Sequence, residues 1–221
     1  MILAGLLFMT LSEAAELAIR RHELPGVSRV VIETVGDLQV RPGAEARLTI
    51  EAEAEVLQEL DISIQEDTVF LCSKGNIKTR HAVKFVTVLP RLQSLSSRGS
   101  GDATVGAFDG KQLDIELGSS GNIALDGVKA EQLTLHVAGS GHIDATGRGD
   151  TLRAEISGSG EIRAEGYVVI RAEAKIGGAG EIRLHASESL DAVIDGAGNI
   201  RYTGSPAVTQ SISGAGSIGP L

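Results

Sequence analysis

The residues of this chain that could do chemistry recur at a near-constant interval. One position after each of seven glycines (Gly101, Gly121, Gly141, Gly160, Gly180, Gly198 and Gly216) stand Asp102, Asn122, His142, Glu161, Glu181, Asn199 and Ser217. The glycines lie 20, 20, 19, 20, 18 and 18 residues apart, so the polar residues would line one edge if each interval were one turn of a repeating structure. A ladder of that kind could take a cation or a repetitive ligand. The corners are superficially similar to the Gly-Gly-x-Gly-x-Asp repeat of calcium-binding solenoids. A hard cation needs several converging oxygens, however, and only the first corner carries Asp at this position. No metal and no other cofactor is expected.

Glu161 and Glu181 fall on consecutive turns, where two carboxylates would raise one another's pKa and could form the acid pair of a glycoside hydrolase. That chemistry also needs a walled cleft. The repeat region holds only Phe108, Tyr167 and Tyr202 as aromatics, and no interval is long enough to insert a loop. No catalytic residue is therefore assigned, and a polysaccharide-active enzyme stands as the alternative to a non-enzymatic reading. His22, His81, His136, His142 and His185 lack the spacing of a zinc site. The single Cys72, in the apolar run Thr68–Cys72, excludes an internal disulfide and is expected to be a buried, inert thiol in a strand.

The 221 residues carry 20 Lys+Arg against 29 Asp+Glu, a formal charge of -9, with 3% aromatics and no Trp. An acidic chain without stacking platforms is not built for nucleic acid. Glycine numbers 28, concentrated after residue 98, so the composition shifts near residue 95.

Around each corner the hydrophobic pattern is that of half-buried strands. Leu113, Ile115 and Leu117 alternate with Asp114 and Glu116, and the pattern returns at Leu133–Val137 and Leu152–Ile156. Two positions after the corner glycines come Ala103, Ile123, Ile143, Ile162, Ile182, Ile200 and Ile218; four before the last six come Leu117, Val137, Ile156, Ile176, Ile194 and Ile212. Eighteen to twenty residues cannot hold a strand and a substantial helix, and no single repeat could bury its own apolar face. The expected fold is all-β: a right-handed parallel β-solenoid of about seven rungs, with interior columns of Ile and Leu. Glycine suits the corners because it accepts positive φ and has no side chain to meet the next rung.

Outward positions form mixed-sign columns. One holds Asp114, Thr134, Arg153, Glu173, Asp191 and Thr209; beside it run Glu116, His136, Glu155 and Lys175. Weak ion pairs on a solvated face are the expectation there.

Residues 95–221 are thus the solenoid, and 15–94 a β-rich N-terminal cap continuous with it in one cooperative unit. Strands are expected around Val30–Val35, Arg47–Ala52 and His81–Val86, with one helical turn near Val56–Leu60. Residues 1–14 are expected to be a signal peptide: the apolar run 2–11 is too short to span a bilayer, and small residues precede Ala15. The run has no preceding Lys or Arg, and a short buried helix or strand is the other reading. No Cys follows it for lipid attachment. Solenoid ends present strand edges, which allows homo-oligomers and makes an envelope scaffold assembling through those ends a further alternative, and Pro220 would blunt the last edge.

The segment Leu89-Pro90-Arg91-Leu92-Gln93-Ser94-Leu95, the Gly-Ser-Gly and Gly-Ala-Gly corners, and the run Gly196–Pro206 resemble the head GIN domain family of bacteria. The resemblance covers roughly residues 28–218. It implies an exported β-solenoid of the cell envelope, periplasmic or extracellular. The family's label, "putative auto-transporter adhesin", implies binding to a surface glycan or protein through an extended rigid face, and it assigns no functional residues.

Overall fold

The structure, a computed structural model, describes residues 17–221. The apolar run 2–11 and the expected cleavage site before Ala15 lie outside the described residues. The strands are β1 (Leu17–Glu23), β2 (Arg29–Ile32), β3 (Asp37–Pro42), β4 (Arg47–Glu53), β5 (Leu60–Gln65), β6 (Thr68–Ser73), β7 (Lys84–Leu89), β8 (Ser94–Ser97) and β9 (Ala103–Val105). They continue as β10 (Asp109–Leu117), β11 (Asn122–Val137), β12 (His142–Arg148), β13 (Thr151–Ile156), β14 (Glu161–Ile176) and β15 (Ala179–Ile194). The last are β16 (Ala197–Thr203), β17 (Ala207–Ile212) and β18 (Ala215–Pro220). The one helix among the described residues, α1 (Ala54–Glu59), covers most of the helical turn expected near Val56–Leu60.

All the strands join one continuous sheet coiled into a parallel β-solenoid of about six turns, since seven corners bound six intervals. Two ladders meet at the glycine corner. Before it, β8, β10, β11, β13, β14, β15 and β17 pair in parallel, bringing Leu95, Ile115, Leu135, Ala154, Ala174 and Ala192 into one column that ends on Gln210. After it, β9, β11, β12, β14, β15, β16 and β18 stack Ala103, Ile123, Ile143, Ile162, Ile182, Ile200 and Ile218. From Ile123 to Ile200 this column has no solvent exposure. In β11, β14 and β15 the strand after one corner runs unbroken into the strand before the next, each 16 residues long. Bulges absorb the bends within them, at Leu125/Val128 in β11 and at Ala164/Val168 in β14.

The corner glycines answer to one of the two expected requirements and not to the other. None of the seven has a left-handed φ. Each is required by close approach: a Cβ on Gly121, Gly141, Gly160, Gly180, Gly198 or Gly216 would overlap the carbonyl oxygen of the corner glycine one rung below. Positive φ occurs instead at Gly26, Gly36, Gly127, Gly147 and Gly204.

An eighth copy of the corner lies far upstream. Gly36 is flanked by Ile32 four positions before it and by Asp37 and Leu38 just after, the same register as in the coils. β2 and β3 form this rung, pairing in parallel with β8 and β9 some 65 residues later in the chain. The intervening chain folds back on the other side, where β6 and β7 add a further parallel rung beneath β2 and β3. Antiparallel strands then finish this end: β5 on β6, β4 on β7, and β1 on β4. The segment before residue 95 therefore joins the coil's sheet and contributes rungs of its own.

Tyr167 fills a gap in the ladder. Its side chain is fully buried, and its hydroxyl donates to the Ala130 carbonyl at 2.8 Å and accepts from the Ala130 N–H at 3.2 Å. Ala130 sits where β12 has ended and β13 not yet begun, so its peptide has no strand partner on that side. Tyr167→Phe leaves both groups buried and unsatisfied, and is expected to lower stability by about 1–3 kcal/mol. Chemical denaturation monitored by circular dichroism measures this directly.

Candidate functional site

The polar residues beside the corners share one column. Asn122, His142, Glu161, Glu181, Asn199 and Ser217 are in register on consecutive rungs. Asp102 precedes them, and Asp37 of the upstream rung precedes Asp102. Many of the polar atoms are engaged within the column. Asp37 Oδ1 accepts from the Asp102 N–H at 3.2 Å; Asp102 Oδ1 accepts from the N–H and Nδ2 of Asn122 at 2.9 and 3.1 Å. At the far end Ser217 Oγ donates to Asn199 Oδ1 at 2.7 Å. These bonds tie neighbouring rungs together at the two ends of the column and help fix the register there.

Glu161 and Glu181 are indeed neighbours, but a column two positions further on changes their chemistry. Asp144, Arg163, Arg183 and Arg201 stand there in register. The Arg163 guanidinium lies 2.6 Å from Glu161 Oε2 and 3.6 Å from Asp144; Arg183 lies 2.8 Å from Glu181 and 3.8 Å from Glu161. The hydrogen bond from Arg163, aided by the nearby charges of Arg163, Arg183 and His142, holds the Glu161 carboxyl below the usual carboxylate range against its partial burial. A proton-donating acid needs the opposite shift. The arginine column is legible in the sequence as Glu161-Ile162-Arg163, Glu181-Ile182-Arg183 and Asn199-Ile200-Arg201, one alternation beyond the residues next to the glycines.

The lowered pKa has a consequence for stability. Because folding depresses the Glu161 pKa, the stabilisation is complete above the ordinary glutamate value of 4.5 and is lost as pH falls from there through the lowered folded-state value. Glu161→Gln is expected to melt below the parent at pH 7, with the gap closing in acid; thermal melts of both chains over that range measure it.

Cys72 lies on β6 half-buried rather than fully buried. Burial and the carboxylates of Glu33 and Asp61 push its thiol up, away from the reactive thiolate. His136 and His142 point to different partners: His136 Nε2 sits 2.8 Å from Ser157 Oγ, and His142 Nε2 is 3.8 Å from Asp144. Among the described residues no group of His, Cys, Asp and Glu is placed to hold a metal. No helix among them is long and apolar enough to cross a membrane.

The mixed-sign column on the other ladder also stacks in register, from Asp114 through Thr134, Arg153, Glu173 and Asp191 to Thr209. Arg153 pairs with Glu173 at 3.4 Å and with Glu155 at 3.8 Å. Both pairs are largely exposed and contribute little to stability. A groove of about 390 Å³ follows this column across the rungs. Its opposite wall is the parallel column Gln132, Thr151, Arg171, Ser189 and Ala207.

The model of the family described as "Putative auto-transporter adhesin, head GIN domain" matches residues 28–206. Among solved structures, a putative adhesin from Bacteroides fragilis is 26% identical, with a TM-score of 0.88 over 93% of this chain and 97% of that one. A putative lipid binding protein from Parabacteroides distasonis (23% identical, TM-score 0.79, 94% of this chain and 98% of that one) shares the fold. So does a putative adhesin from Parabacteroides merdae (22%, TM-score 0.70, 94% and 97%). No curated protein matches the chain.

Proposed function

We propose, from the premise that this chain belongs to the head GIN domain family, that it is a non-enzymatic binding module of the bacterial cell envelope. It acts through an extended rigid face, making many weak polar contacts, while the interior columns serve only stability. The observation that carries this reading is the register. Outward side chains repeat on consecutive rungs with the backbone spacing of a parallel sheet, so a partner meets the same geometry at every step. The similarity to a putative adhesin from Bacteroides fragilis supports the same reading.

Two measurements test it. Full-length chain expressed in a Gram-negative host is fractionated, and its N-terminus read by mass spectrometry. A mature form starting near Ala15 in the periplasm or medium is expected; intact Met1 in the cytoplasm overturns the envelope assignment. The purified protein is then applied to intact bacterial and host cells. Retention that single surface substitutions weaken only slightly is expected from a distributed face, whereas no retention overturns the binding role.

A further inference from the structure

We infer that the groove between the Thr134–Thr209 and Gln132–Ala207 columns binds an uncharged, extended, β-linked hexose polysaccharide lying along the solenoid axis, about one sugar ring per rung. The inference rests on the surface-binding reading above and specifies its ligand class and its face.

Three observations carry it. The first is availability. The column beside the corner glycines directs many of its polar atoms at its own members, whereas Gln132, Arg171, Ser189, Asp191 and Thr209 make no side-chain hydrogen bond or ion pair among the described residues. Hydroxyl, amide, guanidinium and carboxylate groups thus line a concave surface with their bonding capacity unspent.

The second is charge. Arg153 and Arg171 are balanced by Glu173 and Asp191, so the groove is neutral overall in a chain of charge -9. An anionic polymer would meet two carboxylates in the groove, and a cationic one two guanidinium groups. A polyol meets donors and acceptors in alternation.

The third is direction and pitch. The groove runs across the strands, where every rung's backbone is already paired within the sheet. A peptide captured by strand addition needs a free edge, and the groove has none. Rungs of a parallel sheet repeat at about 4.8 Å, close to the advance of one ring in an extended β-linked hexopyranose chain. Without an aromatic platform each ring is held weakly, so affinity must accumulate over rungs.

The test is an array of uncharged β-linked glucan, mannan and galactan oligomers of two to six rings, with titration of the best binder. Affinity is expected to rise about tenfold or more from two rings to five, the number of rungs lining the groove, and then level off. Asp191→Ala and Arg171→Ala, both surface changes whose folding a thermal melt confirms, should each weaken binding only about two- to threefold, one rung's share of that gain, and the double variant by more. Arg201→Ala, on the other ladder, should leave it unchanged. Binding to no member of the array, indifference to Asp191→Ala, or salt-sensitive preference for polygalacturonate overturns the inference. If the protein still adheres to cells while Asp191→Ala has no effect there, the extended-face reading stands and the groove assignment alone falls.

Discussion

Replacing Gly160 by alanine is expected to unfold the centre of the solenoid, at a cost of several kcal/mol, while alanine at Gly177 in the next corner costs almost nothing. Both changes add one methyl group, and neither glycine has a left-handed φ. The difference lies in what the methyl meets. At Gly160 it overlaps the Gly141 carbonyl oxygen, with Val137 Cγ1 at 2.6 Å. That carbonyl also accepts the Glu161 N–H at 3.2 Å, so the clash cannot be relieved without opening the ladder. The Gly141 backbone on one side and the fully buried Val137 side chain on the other leave nothing flexible to move. At Gly177 the nearest atom, the Ile156 carbonyl oxygen, is 3.9 Å away, and the change should fall within about 0.5 kcal/mol. Urea denaturation of the two variants decides the matter. Equal stabilities would mean that glycine is kept at the corners for some reason other than close stacking.

The second large effect belongs to the interior. Ile162 has no solvent exposure and lies between Ile143 and Ile182 in the column after the corner. Ile162→Asp places a carboxylate where its neighbours on both adjacent rungs are hydrocarbon. The expected loss is about 4–5 kcal/mol or more, shown as a lowered or vanished cooperative transition. Ile162→Val removes one methylene from the same site and should cost only about 1 kcal/mol. A wide gap between the two variants shows that loss of a single methylene does not account for the effect. An unchanged melt for Ile162→Asp would contradict stacking in this column.

Corner, interval and alternation were all written in the chain. Once Gly101 to Gly216 are aligned, the apolar residues two after and four before each glycine leave a parallel solenoid as the arrangement that buries them. Local periodicity alone determines this, because each rung repeats the environment of the last. The ladder Asp102 to Asn199 followed from the same alignment.

What the sequence could not order was the start of the stack. The rung at Gly36 obeys the same rule, yet it precedes Gly101 by 65 residues and is inserted between two rungs that follow it in the chain. Its place depends on long-range pairing, to which spacing along the chain is blind. The chemistry of Glu161 was likewise decided in three dimensions. Beside Glu181 alone, its pKa would rise; Arg163 lies two residues on, and alternation along the strand brings both side chains to the same outer face. The groove, too, exists only after coiling, because its walls are residues from separate rungs whose distance is set by the backbone hydrogen bonds between them. The sequence alone determined the repeating unit and its buried face. The tertiary structure decided the order of the first rungs and which polar groups remained free for a partner, since both depend on contacts between residues far apart in the chain.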